Sequence, residues 1–138
     1  MTNRAVASFD VTGWEEKPYH DPEGGPRLSR TVVAKKFTGD LVAESTAELL
    51  MCQASAADVK AGAGYVANER VEGSLNGRVG SFVLQHGGLM RGGSPEKTFG
   101  HIVPGSGTGD LKGVIGDVEV AVDSDGRHTM TLTYEIEE

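Results

Sequence analysis

Apolar and polar positions alternate most clearly between Tyr65 and Arg91. The stretch predicts two strands meeting at Asn76-Gly77, a dipeptide suited to a two-residue hairpin loop because both residues accept positive φ. With that pair as the turn, Leu75 faces Arg78, Val71 faces Phe82, Glu69 faces Leu84 and Ala67 faces His86. Side chains directly opposite one another share a face of the sheet. One face therefore collects Tyr65, Ala67, Glu69, Val71, Leu75, Phe82, Leu84 and His86. The other holds Asn68, Arg70, Glu72, Ser74, Ser81 and Gln85, with Val66, Val79 and Val83 among them. The first set is apolar enough to be buried, yet it carries a carboxylate and an imidazole.

The same alternation marks Ala5 to Trp14 as a strand, with Ala5, Ala7, Phe9 and Val11 on one side. Glu15 to Pro26 is rich in proline, glycine and charge and reads as a loop. Arg30 to Thr38 and Leu41 to Gln53 read as strands joined by Gly39-Asp40, a glycine-first turn. That turn sets Lys35 against Glu44, and an opposite-charge pair across two strands suits an outer surface. The parity puts Val32, Ala34, Ala43, Ala47, Leu49 and Met51 inside, and Thr31, Thr46 and Glu48 outside. A helix competes over Ala43 to Ala57, where good helix formers are frequent, but the adjoining turn favours the strand. Ser55 to Gly62 reads as a loop or a helical turn.

Arg91-Gly92-Gly93-Ser94 is a further tight turn. Centred on Gly92-Gly93, it sets His86 against Phe99, Leu84 against His101 and Phe82 against Val103. The inner face then holds Glu69, His86 and His101 on three adjacent strands. Glu69, Leu84 and His101 lie in one row across the sheet, and His86 is one diagonal step from both Glu69 and His101, ~7–8 Å at the backbone and within reach of long side chains. Val114 to Asp123 and Arg127 to Glu137 form the last hairpin. A two-residue loop there would place Val122 with Thr129 and mix the apolar and polar sets. A three-residue loop, Ser124-Asp125-Gly126, pairs Val122 with His128, Val120 with Met130 and Val118 with Leu132. The hydrophobic pattern selects the longer loop. Eight hairpin-linked strands with one apolar face predict an all-β fold, a closed eight-stranded antiparallel β-barrel of calycin-like form, because closure removes both edges.

The 138 residues suit one domain spanning 1–138. A net charge of −7 with no basic stripe argues against nucleic acid or an anionic membrane surface as partner. No apolar run approaches the ~20 residues of a membrane helix, and Asp10 interrupts any signal-like start, so a cytoplasmic protein is expected. The single Cys52 can make no internal disulfide and reads as a buried or half-buried thiol. Pro104 to Gly109 is glycine-rich but lacks the lysine and serine of a phosphate loop.

The candidate chemistry is Glu69 as acid or base with His86 as its partner, flanked by Tyr65, Phe82, Leu84, Phe99 and His101 as ligand-contacting residues. A buried carboxylate is costly unless paired or protonated, so Glu69 needs a donor from His86, His101, Tyr65 or an arginine. A filled barrel in which Glu69 and His86 satisfy each other is the plain structural alternative. Glu69, His86 and His101 lie on different strands without metal-site spacing, so neither a metal nor a cofactor is expected. Trp14 reads as a rim or interface aromatic, and Arg70 and Gln85 as outer-face residues.

The run G-Y-V-x-x-E-R-V-x-G-x-L-x-G-R-x-G-S-F-V-L-Q-H-x-G from Gly64 to Gly88 resembles the signature of a bacterial family of uncharacterised small proteins. F-D-V-x-G-W-E-E from Phe9 and V-P-G-S-G-T-G-D-L from Val103 match as well, so the resemblance covers nearly the whole chain. That family is similar in fold to plant allene oxide cyclase, an eight-stranded antiparallel barrel with a ligand-sized cavity that forms oligomers. The resemblance thus implies a homo-oligomeric barrel. It carries no activity, and no catalytic motif of that enzyme aligns here. The function expected is binding of a small apolar or oxygenated molecule in the barrel lumen. The alternatives are an isomerase or cyclase using Glu69 and His86 for proton transfer, or a structural oligomer.

Overall fold

The computed structural model describes every residue except Met1, Ala56 and Val59. Its strands are β1 (Asn3–His20), β2 (Arg27–Gly39), β3 (Leu41–Gln53), β4 (Ala63–Leu75), β5 (Arg78–Arg91), β6 (Ser94–Ile102), β7 (Thr108–Gly109), β8 (Val114–Val122) and β9 (His128–Ile136). No helix occurs among the described residues. The strands pair antiparallel in the cyclic order β1-β2-β3-β4-β5-β6-β8-β9 and back to β1, closing an eight-stranded barrel. The short β7 adds a rung to β5 at Gly80 and Ser81.

The β4–β5 and β8–β9 hairpins have the expected register. β4 and β5 pair from Leu75 with Arg78 to Ala63 with Met90. β8 and β9 pair Val122 with His128, Val120 with Met130 and Val118 with Leu132. Gly126 closes that loop at φ 80°, a left-handed conformation that costs glycine little. The Asp123 carboxylate accepts the N–H groups of Asp125 and Arg127 at 2.9 Å each. The rival helix loses to pairing from Ala43 to Gln53, because β3 is bonded along its length to both β2 and β4; the rest of its expected range includes Ala56, which lies outside the described residues. Cys52 is exposed, not buried or half-buried as expected.

Other parities differ from the sequence reading, each for a local reason. β1 does not end at Trp14. It runs on to His20 against β2, through a bulge between Val11 and Gly13, and replaces the expected loop over Glu15 to His20. The β2–β3 connection is shifted by one residue. Asp40 is drawn to β1, where its N–H donates to the Val6 carbonyl and its carboxylate accepts the Val6 N–H. Phe37 therefore pairs with Ala43, Lys36 with Glu44 and Lys35 with Ser45. Thr31, Val33, Lys35 and Phe37 turn inward, and Val32 and Ala34 turn outward, reversing the expected faces of β2.

The third difference lies in β6. Arg91 pairs with Ser94 as the tight turn requires, but the register slips between Gly88 and Met90. Two residues of β6, Glu96 and Lys97, oppose the single Leu89, and Lys97 has φ 24°. This bulge flips every later side chain of the strand. Leu84 faces Ile102, Gln85 faces His101 and Gly87 faces Phe99. Phe99 and His101 therefore stand on the outer wall, not in the lumen.

Two apolar clusters fill the barrel. The larger contains Phe9, Phe37, Leu41, Val71, Leu75, Phe82, Leu84, Ile102 and Leu132 among others. The smaller comprises Val33, Ala47, Leu49 and Ala67, with Met51 and Tyr65 packed against it. Along β2 the residue between the clusters is Lys35; along β3 it is Ser45; along β4 it is Glu69. A polar seam thus crosses the barrel between two hydrophobic layers.

Candidate functional site

Glu69 stands at the centre of that seam, with 1% of its side chain exposed. It opposes Leu84 on β5 and Ala47 on β3, so alternation alone aims it inward. Three donors from three strands meet its carboxylate. Lys35 Nζ donates to Oε1 at 2.9 Å, Ser45 Oγ to Oε2 at 2.6 Å, and His86 Nε2 lies 2.8 Å from Oε1. Lys35 also stands 4.8 Å from the centre of the Phe9 ring, so the aromatic face shares in holding the ammonium.

Burial by itself raises the Glu69 pKa. The His86 hydrogen bond, the Lys35 charge and the Ser45 and Lys35 hydrogen bonds outweigh it and bring the value from 4.5 down to about 2. Glu69 is therefore an anion at neutral pH and only accepts hydrogen bonds. His86 Nε2 must carry the hydrogen it donates to Glu69. In the neutral ring Nδ1 is then the acceptor, and Tyr65 Oη, 2.9 Å away, donates to it. Burial, and next the Glu69 charge, raise the Tyr65 pKa, so the phenol keeps its proton. The result is a directed chain: Tyr65 O–H to His86 Nδ1, His86 Nε2–H to Glu69, and Glu69 fixed by Lys35 and Ser45.

The chain ends at a cleft in the barrel wall. β6 and β8 pair only at His101 with Asp117 and Ile102 with Gly116. Beyond these rungs lies a cleft of about 610 Å³. Tyr65 and His86 line it together with Gly87, Thr98, Gly100 and Val118, while Phe99, His101, Asp117, Glu119 and Val120 complete its lining. Gly87 has a packing reason to be glycine: a Cβ there would lie 2.6 Å from Phe99 Cε1 and 2.7 Å from the Tyr65 carbonyl oxygen. Among the described residues no lysine or arginine lines the cleft, whereas Asp117 and Glu119 do. A second concavity of about 480 Å³ includes Arg30, Glu48, Val66 and Gln85 and also touches His86 and Phe99. Its Arg30 and Glu48 satisfy each other at 2.9 Å, and Tyr65, the end of the hydrogen-bonded chain, lines the β6–β8 cleft and not this one, which makes that cleft the chemically informative one.

The residues singled out from sequence thus separate. Glu69, His86 and Tyr65 are brought into one network. Phe82 and Leu84, each 1% exposed, belong to the packed core away from the cleft. Phe99 and His101 reach the cleft from the outer wall, where their rings stack at 5.9 Å and His101 Nε2 meets Gln85 Oε1 at 3.1 Å. His101 therefore makes no row with Glu69. Arg70 and Gln85 lie on the outer face as expected, and Trp14 is half exposed. Sequence reasoning missed Lys35 and Ser45. The signal that finds Lys35 is Phe37: burying the bulkiest side chain of β2 forces the odd-numbered phase and carries Lys35 inward, while Ser45 shares the inner phase of Ala43 and Ala47 on β3. Among the described residues no group of three or more His, Cys, Asp or Glu side chains is arranged to hold a metal ion. No helix among them is long and apolar enough to cross a membrane.

Fold and site together define a small closed antiparallel β-barrel, filled along its axis, whose buried carboxylate is wired through an imidazole to a phenol at a lateral cleft. Residues 5–134 match the family model described as a protein of unknown function, DUF3224, and the chain belongs to that family. A crystal structure of a DUF3224 protein of unknown function from the bacterium Shewanella oneidensis MR-1 is similar over 100% of both chains, at 35% identity and a TM-score of 0.85. No curated protein matches the chain.

Proposed function

We propose that the protein binds a small, neutral, partly apolar molecule carrying an oxygen function, and that it does so in the β6–β8 cleft rather than along the barrel axis. The observation that carries this reading is the hydrogen-bonded chain from Glu69 through His86 to Tyr65, which ends at the cleft. The axis itself is occupied by the Glu69–Lys35 pair and the two apolar clusters. The cleft volume of about 610 Å³ falls in the range of small-molecule sites. Its mixture of Phe99, Val118 and Val120 with a few polar groups suits a partly apolar guest. Asp117 and Glu119 without a lysine or arginine disfavour a carboxylate or phosphate ligand. The Tyr65 phenol keeps its proton, and that O–H turns from His86 Nδ1 to an oxygen acceptor on the guest. The exposed lone thiol of Cys52 fits a reducing, cytoplasmic setting.

The test is a titration of isotope-labelled protein with cyclohexanone, cyclohexylamine and cyclohexanecarboxylate, followed by amide NMR shifts. Cyclohexanone is expected to move the resonances of Tyr65, His86, Gly87, Gly100 and Val118, and the carboxylate to leave them in place. Tyr65→Phe removes one hydrogen bond, which weakens cyclohexanone binding about fivefold. Shifts confined to residues outside the cleft, or none with any of the three, would overturn the reading.

A further inference from the structure

We infer that Tyr65 and His86 form a bifunctional acid–base pair that enolises a neutral carbonyl compound bound in the cleft. This rests on the binding site proposed above and adds a reaction to it. The acid atom, Tyr65 Oη, and the base atom, His86 Nδ1, are 2.9 Å apart and belong to two side chains that line one cleft. The oxygen of a ketone and a hydrogen on its α-carbon are separated by a comparable distance. A ketone can therefore present both to the pair at once. Tyr65 O–H then turns from Nδ1 to the carbonyl oxygen, and the freed Nδ1 lone pair faces the α-hydrogen.

The step balances without a co-reactant. Nδ1 takes the α-proton as the C–H bond breaks, and that electron pair becomes the carbon–carbon double bond. The carbonyl π-electrons move onto oxygen, which takes the Tyr65 proton. The ring becomes an imidazolium whose Nε2–H still points at Glu69 Oε1, 2.8 Å away. Its Nδ1 proton passes to the phenolate and restores both groups, so the net change is ketone to enol. Glu69 is a positioning residue here. It holds the tautomer and offsets the transient positive charge, as a carboxylate behind a catalytic imidazole does. Lys35 and Ser45 keep that carboxylate ionised and in place.

The experiment follows α-hydrogen exchange of cyclohexanone in deuterated buffer by proton NMR, with amide shifts of the protein read in the same sample. The wild-type protein is expected to accelerate exchange on the order of 10²-fold over buffer. Tyr65→Phe and His86→Gln, each checked for an intact amide spectrum, are expected to return it to the buffer rate. Cyclohexanone that binds in the cleft without faster exchange would overturn this inference and leave the binding proposal standing. Absence of both overturns both. Exchange that persists undiminished in both variants assigns the reaction elsewhere and overturns the pair.

Discussion

Replacing Glu69 by Gln removes the anion from the polar seam while keeping nearly the same volume. Lys35 Nζ, on a side chain only 13% exposed, is then left without its counter-charge. Breaking one partner of a buried pair costs about 3–5 kcal/mol. For a domain of this size that lowers the melting temperature on the order of 10 °C at pH 7. The pH dependence gives an independent measure. The folded-state pKa of Glu69 is about 2 against an ordinary 4.5. The depressed value means that folding stabilises the anion. That contribution is fully present above pH 4.5 and disappears as the pH falls to 2. At about 1.4 kcal/mol per pH unit it amounts to about 3 kcal/mol. Urea denaturation of wild type and E69Q at pH values from 7 to 2 separates this group from the other carboxylates, which titrate in both proteins. The stability gap between them is expected to be constant above pH 5 and to narrow by about 3 kcal/mol toward pH 2. Adding Lys35→Met to E69Q removes the stranded ammonium, so the double variant should be more stable than the sum of the single losses predicts, by about 2 kcal/mol. Parallel curves across the whole range would refute the assignment of Glu69 as the fixed anion of the barrel.

Other consequences are equally concrete. Long-range nitrogen-15 correlation spectra should show the neutral His86 ring protonated at Nε2, and Tyr65→Phe should shift the Nδ1 resonance while leaving that tautomer in place. Gly87→Ala forces a methyl group against the Tyr65 backbone and the Phe99 ring; an overpacking cost of about 1–3 kcal/mol by denaturant melts is expected. Phe37→Ala empties a fully buried position beside the seam; it should cost about 3–5 kcal/mol in the same assay.

The legible part of the chain is the part where turn chemistry and hydrophobic pattern agree. At Asn76-Gly77 the dipeptide demands one loop, and the apolar sets of β4 and β5 fall on one face with that loop. At Ser124-Asp125-Gly126 the pattern overruled the shorter loop, and the register followed it. Where the two signals conflict, turn chemistry alone misleads. Gly39-Asp40 has the composition of a two-residue turn, but the groups that bond Asp40 belong to Val6, thirty-four positions away. No local rule contains that contact. Weighing the size of Phe37 above the turn would have set the parity of β2 and placed Lys35 beside Glu69. The β6 bulge is harder to see. Lys97 takes a positive φ that its type does not favour, and one unpaired residue there exchanges the inner and outer walls for Phe99 and His101.

These parities also explain why the chemistry sits in the wall and not in the lumen. A barrel of this size has room for side chains or for one small ligand. Here Lys35, Ser45 and Glu69 take the central layer, and the apolar clusters take the layers on either side. A carboxylate committed to three donors is a poor acid or base, since its proton affinity is spent on them. What it can still do is orient the ring bonded to it. His86 passes that orientation outward to Tyr65, at the place where the short β6–β8 ladder leaves the barrel wall incomplete. The bulge that turns Phe99 and His101 outward lies on the same strand and sets two aromatic rings at this opening. The filled core and the open cleft are thus consequences of one arrangement: the ion pair closes the axis, and its one imidazole partner carries the influence of the charge to the two-rung β6–β8 ladder.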